Sequence, residues 1–244
     1  MSDKLRLTEI PTEWTLIRTS QTSLPEGAKM SEESRDATHI LVGRYHDAIE
    51  RFLRMKLRDQ NLVDEVKQEF WTKFLSQKLA GADPSKGRFR DYLRTVLHRL
   101  IIDHFRGRKL QPLPPGDLLD PTSNDEEFDH VWRELVIKRV LCRLESYELG
   151  TPNNRYWSVL SLRLEKPDAP IEELAALLSD RDGRGTTPEA FRKTLQRARR
   201  KFLDLLIEEL RETIHPAEPE DIEAEIYDLG LGPLYRRYSA EFAS

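Results

Sequence analysis

Two kinds of residue in this sequence could do chemistry, and they point in different directions. The first kind is the acid–base set. Six histidines, His39, His46, His98, His104, His130 and His215, show no HExxH-like ligand spacing, and no Gly-rich phosphate loop precedes a helix. The sequence therefore predicts neither a metal nor a cofactor. Asp103 and His104 invite a general-base reading, but neighbours on a helix point in different directions, which disfavours a DNA-processing hydrolase built on them. The second kind is cationic. Between Ser85 and Lys109 eight Lys or Arg stand against two Asp, and between Thr187 and Lys201 six stand against Glu189, in a chain whose net charge is -4. Two basic islands in an otherwise acidic chain predict two separate contacts with a polyanion. Arginine can pair bidentately with guanine and Gln196 with adenine, each worth roughly 1–3 kcal/mol of discrimination.

The elements that must position these residues read as helices. In the first island Phe89, Tyr92, Leu93, Val96, Leu97, Leu100, Ile101, His104 and Phe105 recur at three- and four-residue spacing, one stripe of a long helix. Before it, Ile40, Leu41, Tyr45, Ile49, Phe52, Leu53 and Leu57 predict a helix from Ala37, and Val63, Val66, Phe70, Phe74 and Leu75 another from Leu62 to Leu79. The second of these carries Asp64, Glu65, Gln68, Glu69 and Trp71 on its other side. Residues 110–130 hold Pro112, Pro114, Pro115 and Pro121 among many acids, which predicts an irregular linker. After it come a helix from Val131 to Tyr147 burying Val131, Leu135, Ile137, Val140, Leu141 and Leu144, a short one from Tyr156 to Leu164, and another over Ile171–Leu178. An eight-residue loop, SDRDGRGT, is then expected. Thr187 caps the next helix and Pro188 opens it, and Phe191, Leu195, Ala198, Phe202, Leu205 and Leu206 face inward as far as about Arg211. Short helix, turn and capped basic helix is the order of a helix-turn-helix. From Ile214 onward two alternatives stay open, a docking tail or a further short helix.

Composition sets the class. With 244 residues and a single cysteine, Cys142, the chain has no intrachain disulfide and no multi-cysteine zinc site, so a reducing cytoplasm is the expected home. No stretch approaches the length of a membrane span, and no membrane insertion is expected. Leu, Glu, Arg and Lys dominate, which predicts an all-α protein.

Three motifs resemble the sigma-70 family of bacterial RNA polymerase sigma factors, in its extracytoplasmic-function subfamily. DEVKQEFWTKFL, Asp64 to Leu75, is similar to the family's polymerase-binding helix. GRFRDYLRTVLHRLIIDHFRGRK, Gly87 to Lys109, is similar to the segment that opens and reads the minus-ten element. YWSVLSLRLEKPDAPIEELAALL with TTPEAFRKTLQRARRKFLDLL is similar to the domain that reads the minus-35 element. The resemblance implies an all-helical, two-domain transcription factor without chemistry of its own: 1–36 an extension, 37–109 the core-polymerase and minus-ten domain, 110–130 a linker, 131–211 the minus-35 domain and 212–244 a tail. It implies that Asp64, Glu65, Gln68, Glu69 and Trp71 dock on the coiled coil of the polymerase's largest subunit. It implies minus-ten contacts for Arg94, His98, Arg99, Asp103, His104 and Arg106, and minus-35 contacts for Thr187, Arg192, Lys193, Gln196, Arg197 and Arg200. Core RNA polymerase, including its flap, and promoter DNA are the implied partners, and an anti-sigma factor is a further partner class that the resemblance admits. Arg99 stands where many members have Asn, and Tyr92 where many have Trp. The rival to this reading, from the residues alone, is a free-standing helix-turn-helix regulator.

Overall fold

The computed structural model describes residues 16, 31–57, 59–75, 88–108, 126–214 and 217–239, without the side chains at 75, 106–108 and 238–239. Among the described residues the chain is helical and has no strand, as the sequence predicts. The helices are α1 (Glu32–Lys56), α2 (Gln60–Leu75), α3 (Phe89–Arg108), α4 (Glu126–Gly150), α5 (Tyr156–Glu165), α6 (Ile171–Asp182), α7 (Pro188–Thr213), α8 (Pro219–Asp228) and α9 (Gly232–Ser239). The chain divides into two units. One comprises residues up to Arg133 with Arg211–Ile222, and the other Glu134–Leu210 with Glu223–Ser244.

In the first unit α1 begins five residues earlier than its apolar pattern, because Ser31 caps it. The Ser31 hydroxyl accepts the Ser34 N–H at 3.1 Å, and Glu32 and Glu33 in the first turn complement the helix dipole. Leu41, Tyr45, Ile49, Phe52 and Leu53 are buried, whereas Ile40, assigned to the same stripe, is 41% exposed. α1 packs on α2, and α2 on α3. The centre is aromatic: the Tyr45 ring lies 5.0 Å from Phe89 and stacks at 5.9 Å on Trp132, while Phe52 meets Phe128 edge-on at 5.2 Å.

Phe128 and Trp132 belong to α4, which starts at Glu126 and not at Val131. The last five residues assigned to the linker are therefore helical, with Glu126, Glu127 and Asp129 in the dipole-favoured first turn; residues 110–125 lie outside the described residues. α4 buries Val131, Val136, Val140 and Leu144, and Trp132, which the apolar pattern passes over, is among the largest fully buried side chains. Leu135, Ile137 and Leu141 are only half-buried.

In the second unit Glu209, on α7, is buried and lies 2.8 Å from Arg139 and 3.2 Å from Arg143, both on α4. All six apolar positions assigned to α7 are buried. Pro219–Asp228 and Gly232–Ser239 form α8 and α9, so the described residues beyond 214 are largely helical. Gly230 turns the chain at φ 70, and Gly232 lies so close to the Tyr227 ring that a Cβ there would meet it at 2.5 Å.

Trp132→Ala is expected to lower unfolding stability by about 3–5 kcal/mol, whereas Trp132→Phe costs much less, since its indole N–H is buried without a hydrogen-bond partner. Urea titration monitored by circular dichroism measures both; equal losses for the two variants would count against the stacking role.

Candidate functional site

On α2, Asp64, Glu65 and Gln68 are exposed, and Glu69 and Trp71 are half-buried. Lys67 joins this helix to α1, bonding Glu50 at 2.7 Å and Asp64 at 3.0 Å. Its hydrogen bond holds each of these carboxyls below the usual carboxylate range, so Asp64 stays anionic at neutral pH. Glu69 pairs with Lys73 at 2.6 Å. Trp71 does not stand out as an exposed anchor. Its ring stacks on His46 at 6.3 Å and meets Phe70 and Phe74 edge-on, so its larger part is packing and only an edge remains on the surface.

Of the six residues assigned to the minus-ten contact, the five with described side chains do not share one face of α3. Arg99 and Asp103, four residues apart, are exposed on the same side. His98 is 4% exposed, with its ring 5.5 Å from Phe52; it is a core residue, and its burial excludes a base contact in this conformation. Arg94 bonds Asp91 at 3.0 Å and lies 3.9 Å from Asp129 of α4. His104 is largely buried, 3.6 Å from Glu65 on α2. The sequence places it both on the apolar stripe and beside the DNA, and the first placement agrees with its burial. The side chain of Arg106 lies outside the described residues. Arg90, unassigned in the sequence, is buried 3.9 Å from Asp129. Part of the first basic island is therefore engaged inside the unit by Asp91 and Asp129.

The second island keeps its charge outside. α6 runs on to Asp182, four residues past its expected end, so the loop is only residues 183–187. Gly183 closes α6 at φ 68, returning its N–H to Ser179. Arg155, at the start of α5, binds the turn from below. It donates to the Thr186 hydroxyl, pairs with Asp182 at 2.8 Å and reaches the Leu178 carbonyl at 3.4 Å. The Thr186 N–H in turn donates to the Ser179 hydroxyl at 2.8 Å. Sequence reasoning missed this set; Asp182-Gly183 is itself a turn signal, but nothing local marks Arg155. Thr187 caps α7, its hydroxyl accepting the Ala190 N–H at 3.2 Å. Beyond the cap Arg192, Lys193, Gln196, Arg197 and Arg200 are all exposed, on the side opposite buried Phe191, Leu195 and Ala198. Arg192 is paired with Glu172 at 2.9 Å and Lys193 with Glu189 at 2.8 Å. These surface pairs are worth at most about 1 kcal/mol and yield readily to a phosphate. Chemically this is a capped helix with an exposed cationic and amide face, suited to the major groove.

Among the described residues no cluster of three His, Cys, Asp or Glu could hold a metal, and no helix is long and apolar enough to cross a membrane. Residues 41–111, covering most of α1 and all of α2 and α3, match the family model described as sigma-70 region 2. The matched stretch is less than half of the 244-residue chain. Searches of the curated proteins and of the solved structures each gave no match.

Burial pushes the Tyr92 phenol from its ordinary value of 10 up to about 12. A raised folded pKa gives stability that is present below pH 10 and lost as pH rises through 12. Tyr92→Phe is expected to remove that part of the alkaline loss, up to about 2–3 kcal/mol, in denaturant titrations between pH 9 and 12; an unchanged pH profile would mean Tyr92 ionises freely.

Proposed function

We propose that this chain is a sigma factor of the extracytoplasmic-function type, which brings core RNA polymerase to specific promoters and helps to open them. The observation that carries the reading is the sigma-70 region 2 match over α1–α3, and a helix-turn-helix with an outward cationic face at α6–α7 supports it. A free-standing regulator would account for α6–α7 and leave the region 2 match unexplained. The match equally gives no support to a DNA-processing enzyme.

In this reading residues 37–109 form the core-polymerase and minus-ten domain, and 131–211 the minus-35 domain. The acidic surface of α2, chiefly Asp64, Glu65 and Gln68 with Glu69 and the edge of Trp71, docks on the coiled coil of the polymerase's largest subunit. Arg99, Asp103 and Arg106 meet the opened minus-ten strand, with Arg94 joining once DNA phosphate draws it from Asp91. His98 and His104 hold α3 in place from inside. On α7, Arg192, Lys193, Gln196 and Arg197 face bases of the minus-35 duplex, with Thr187 and Arg200 at its backbone. Phosphate contacts supply affinity and orientation, and base-edge contacts supply choice of sequence.

Run-off transcription with core polymerase on a genomic fragment library tests the whole reading: discrete transcripts that require this protein are expected, and failure to co-migrate with core polymerase on a sizing column would sink it. Gln68→Ala, at an exposed position of α2, is expected to weaken core binding at least several-fold in a titration while leaving the fold intact. Arg197→Ala is expected to cost roughly 1–3 kcal/mol on a cognate promoter and less on scrambled DNA.

A further inference from the structure

We propose that the turn Gly183–Arg184–Gly185, between α6 and α7, is a contact with the DNA sugar-phosphate backbone, with Arg184 as its cation. The inference rests on the reading of α6–α7 as a duplex reader and adds a residue outside the recognition helix. The backbone at Arg184 is fixed on both sides. Its N–H donates to the Asp182 carboxylate at 3.0 Å, and its carbonyl accepts the Thr186 hydroxyl at 3.2 Å; Thr186 and Asp182 are themselves held by Arg155. A segment tied at this many points is not a slack connector. Yet the side chain that it carries is turned outward, 58% exposed.

The carboxylate nearest to that side chain is already engaged. Asp182 lies 3.6 Å from the Arg184 guanidinium but 2.8 Å from that of Arg155, so the Arg184 pair is the weaker and more exposed of the two. Exposed pairs of this kind contribute little, whereas a guanidinium meets a phosphate with two parallel, charge-assisted hydrogen bonds. Arg184 stands three residues before the Thr187 cap, within about 11 Å of the end of α7 that enters the groove. The strand backbone bordering the groove is what lies within reach there.

Gly185 gives a second, independent indication. Among the described glycines only Gly183 and Gly230 have positive φ, so the backbone at Gly185 does not require glycine. Nor does packing, since a Cβ at Gly185 or at Gly183 would meet nothing within 4 Å. No neighbour among the described residues accounts for the missing side chain at Gly185. Close approach of an external backbone does account for it, and the same bareness on both sides of Arg184 leaves its guanidinium unobstructed.

The test uses the full-length chain and a fluorescent duplex of mixed sequence, with anisotropy titrations over a range of salt. Arg184→Ala is expected to weaken binding equally on mixed and promoter sequences and to reduce the salt slope by about 1. The advantage of the unsubstituted chain should then grow roughly eightfold for each tenfold fall in salt. Arg184→Lys should keep the slope. Gly185→Leu should weaken binding with its thermal unfolding unchanged. An unaltered slope for Arg184→Ala, beside a clear loss for Arg197→Ala, overturns the proposal and leaves the function standing. A loss confined to one base sequence also overturns it, by making Arg184 a base contact. If Arg197→Ala is equally silent, α6–α7 does not read DNA and both readings fall.

Discussion

The stacking of Trp132 on Tyr45, with Phe89 closing the third side, fixes the first unit. Tyr45 comes from α1, Phe89 from the first residue of α3 and Trp132 from the second turn of α4, so one cluster sets the rotation of three helices about their own axes. Aromatic pairs of this kind add about 0.5–1.5 kcal/mol each beyond the area they bury. The greater effect is geometric. With Phe89, Leu93, Leu97 and Leu100 committed inward, the 3.6-residue period leaves Arg99 and Asp103 outward and brings His98 and His104 in.

A different constraint orders the second unit. Glu209 is almost wholly buried and meets two arginines of α4. Desolvating such a group costs several kcal/mol, so its net gain over an apolar core is small. Removing both arginines would leave a buried charge uncompensated, and a change of register between α4 and α7 would do the same. Charge here specifies one arrangement, while the apolar face of α7 provides most of the stabilisation.

The helical class, most of the stripes of α1 and α2, the whole stripe of α7 and the cap at Thr187 are legible in the sequence, because each depends on local periodicity or local hydrogen bonding. The errors have a common physical origin. Counting charge in the first island treats every arginine as free, whereas Asp91 and Asp129 engage Arg90 and Arg94; one of those acids lies on another helix, and no local pattern reveals it. Two-colour periodicity also cannot identify a helix packed on more than one side. α3 borders α2 while its Arg90 and Arg94 approach Asp129 of α4, so polar His98 is buried among apolar residues. Trp132 escapes notice for the converse reason, since a lone tryptophan among charged residues carries no periodic signal. At the turn, Asp182-Gly183 announces a reversal, but the reach of Arg155 from α5 depends on tertiary structure alone.

The two sides of α7 differ in what change would cost them. Phe191, Leu195 and Ala198 cannot be altered without disturbing the packing beneath, but the outward positions 192, 193, 196 and 197 touch at most one exposed acid each. Substitutions at such positions ordinarily shift stability by no more than about 0.5 kcal/mol. On the proposed reading of α7, the preferred sequence of a DNA partner can therefore drift over many generations by single replacements, each nearly neutral for folding. Heritable diversity in target choice would then be limited by selection on the genes served, and hardly at all by the architecture that carries the reading face.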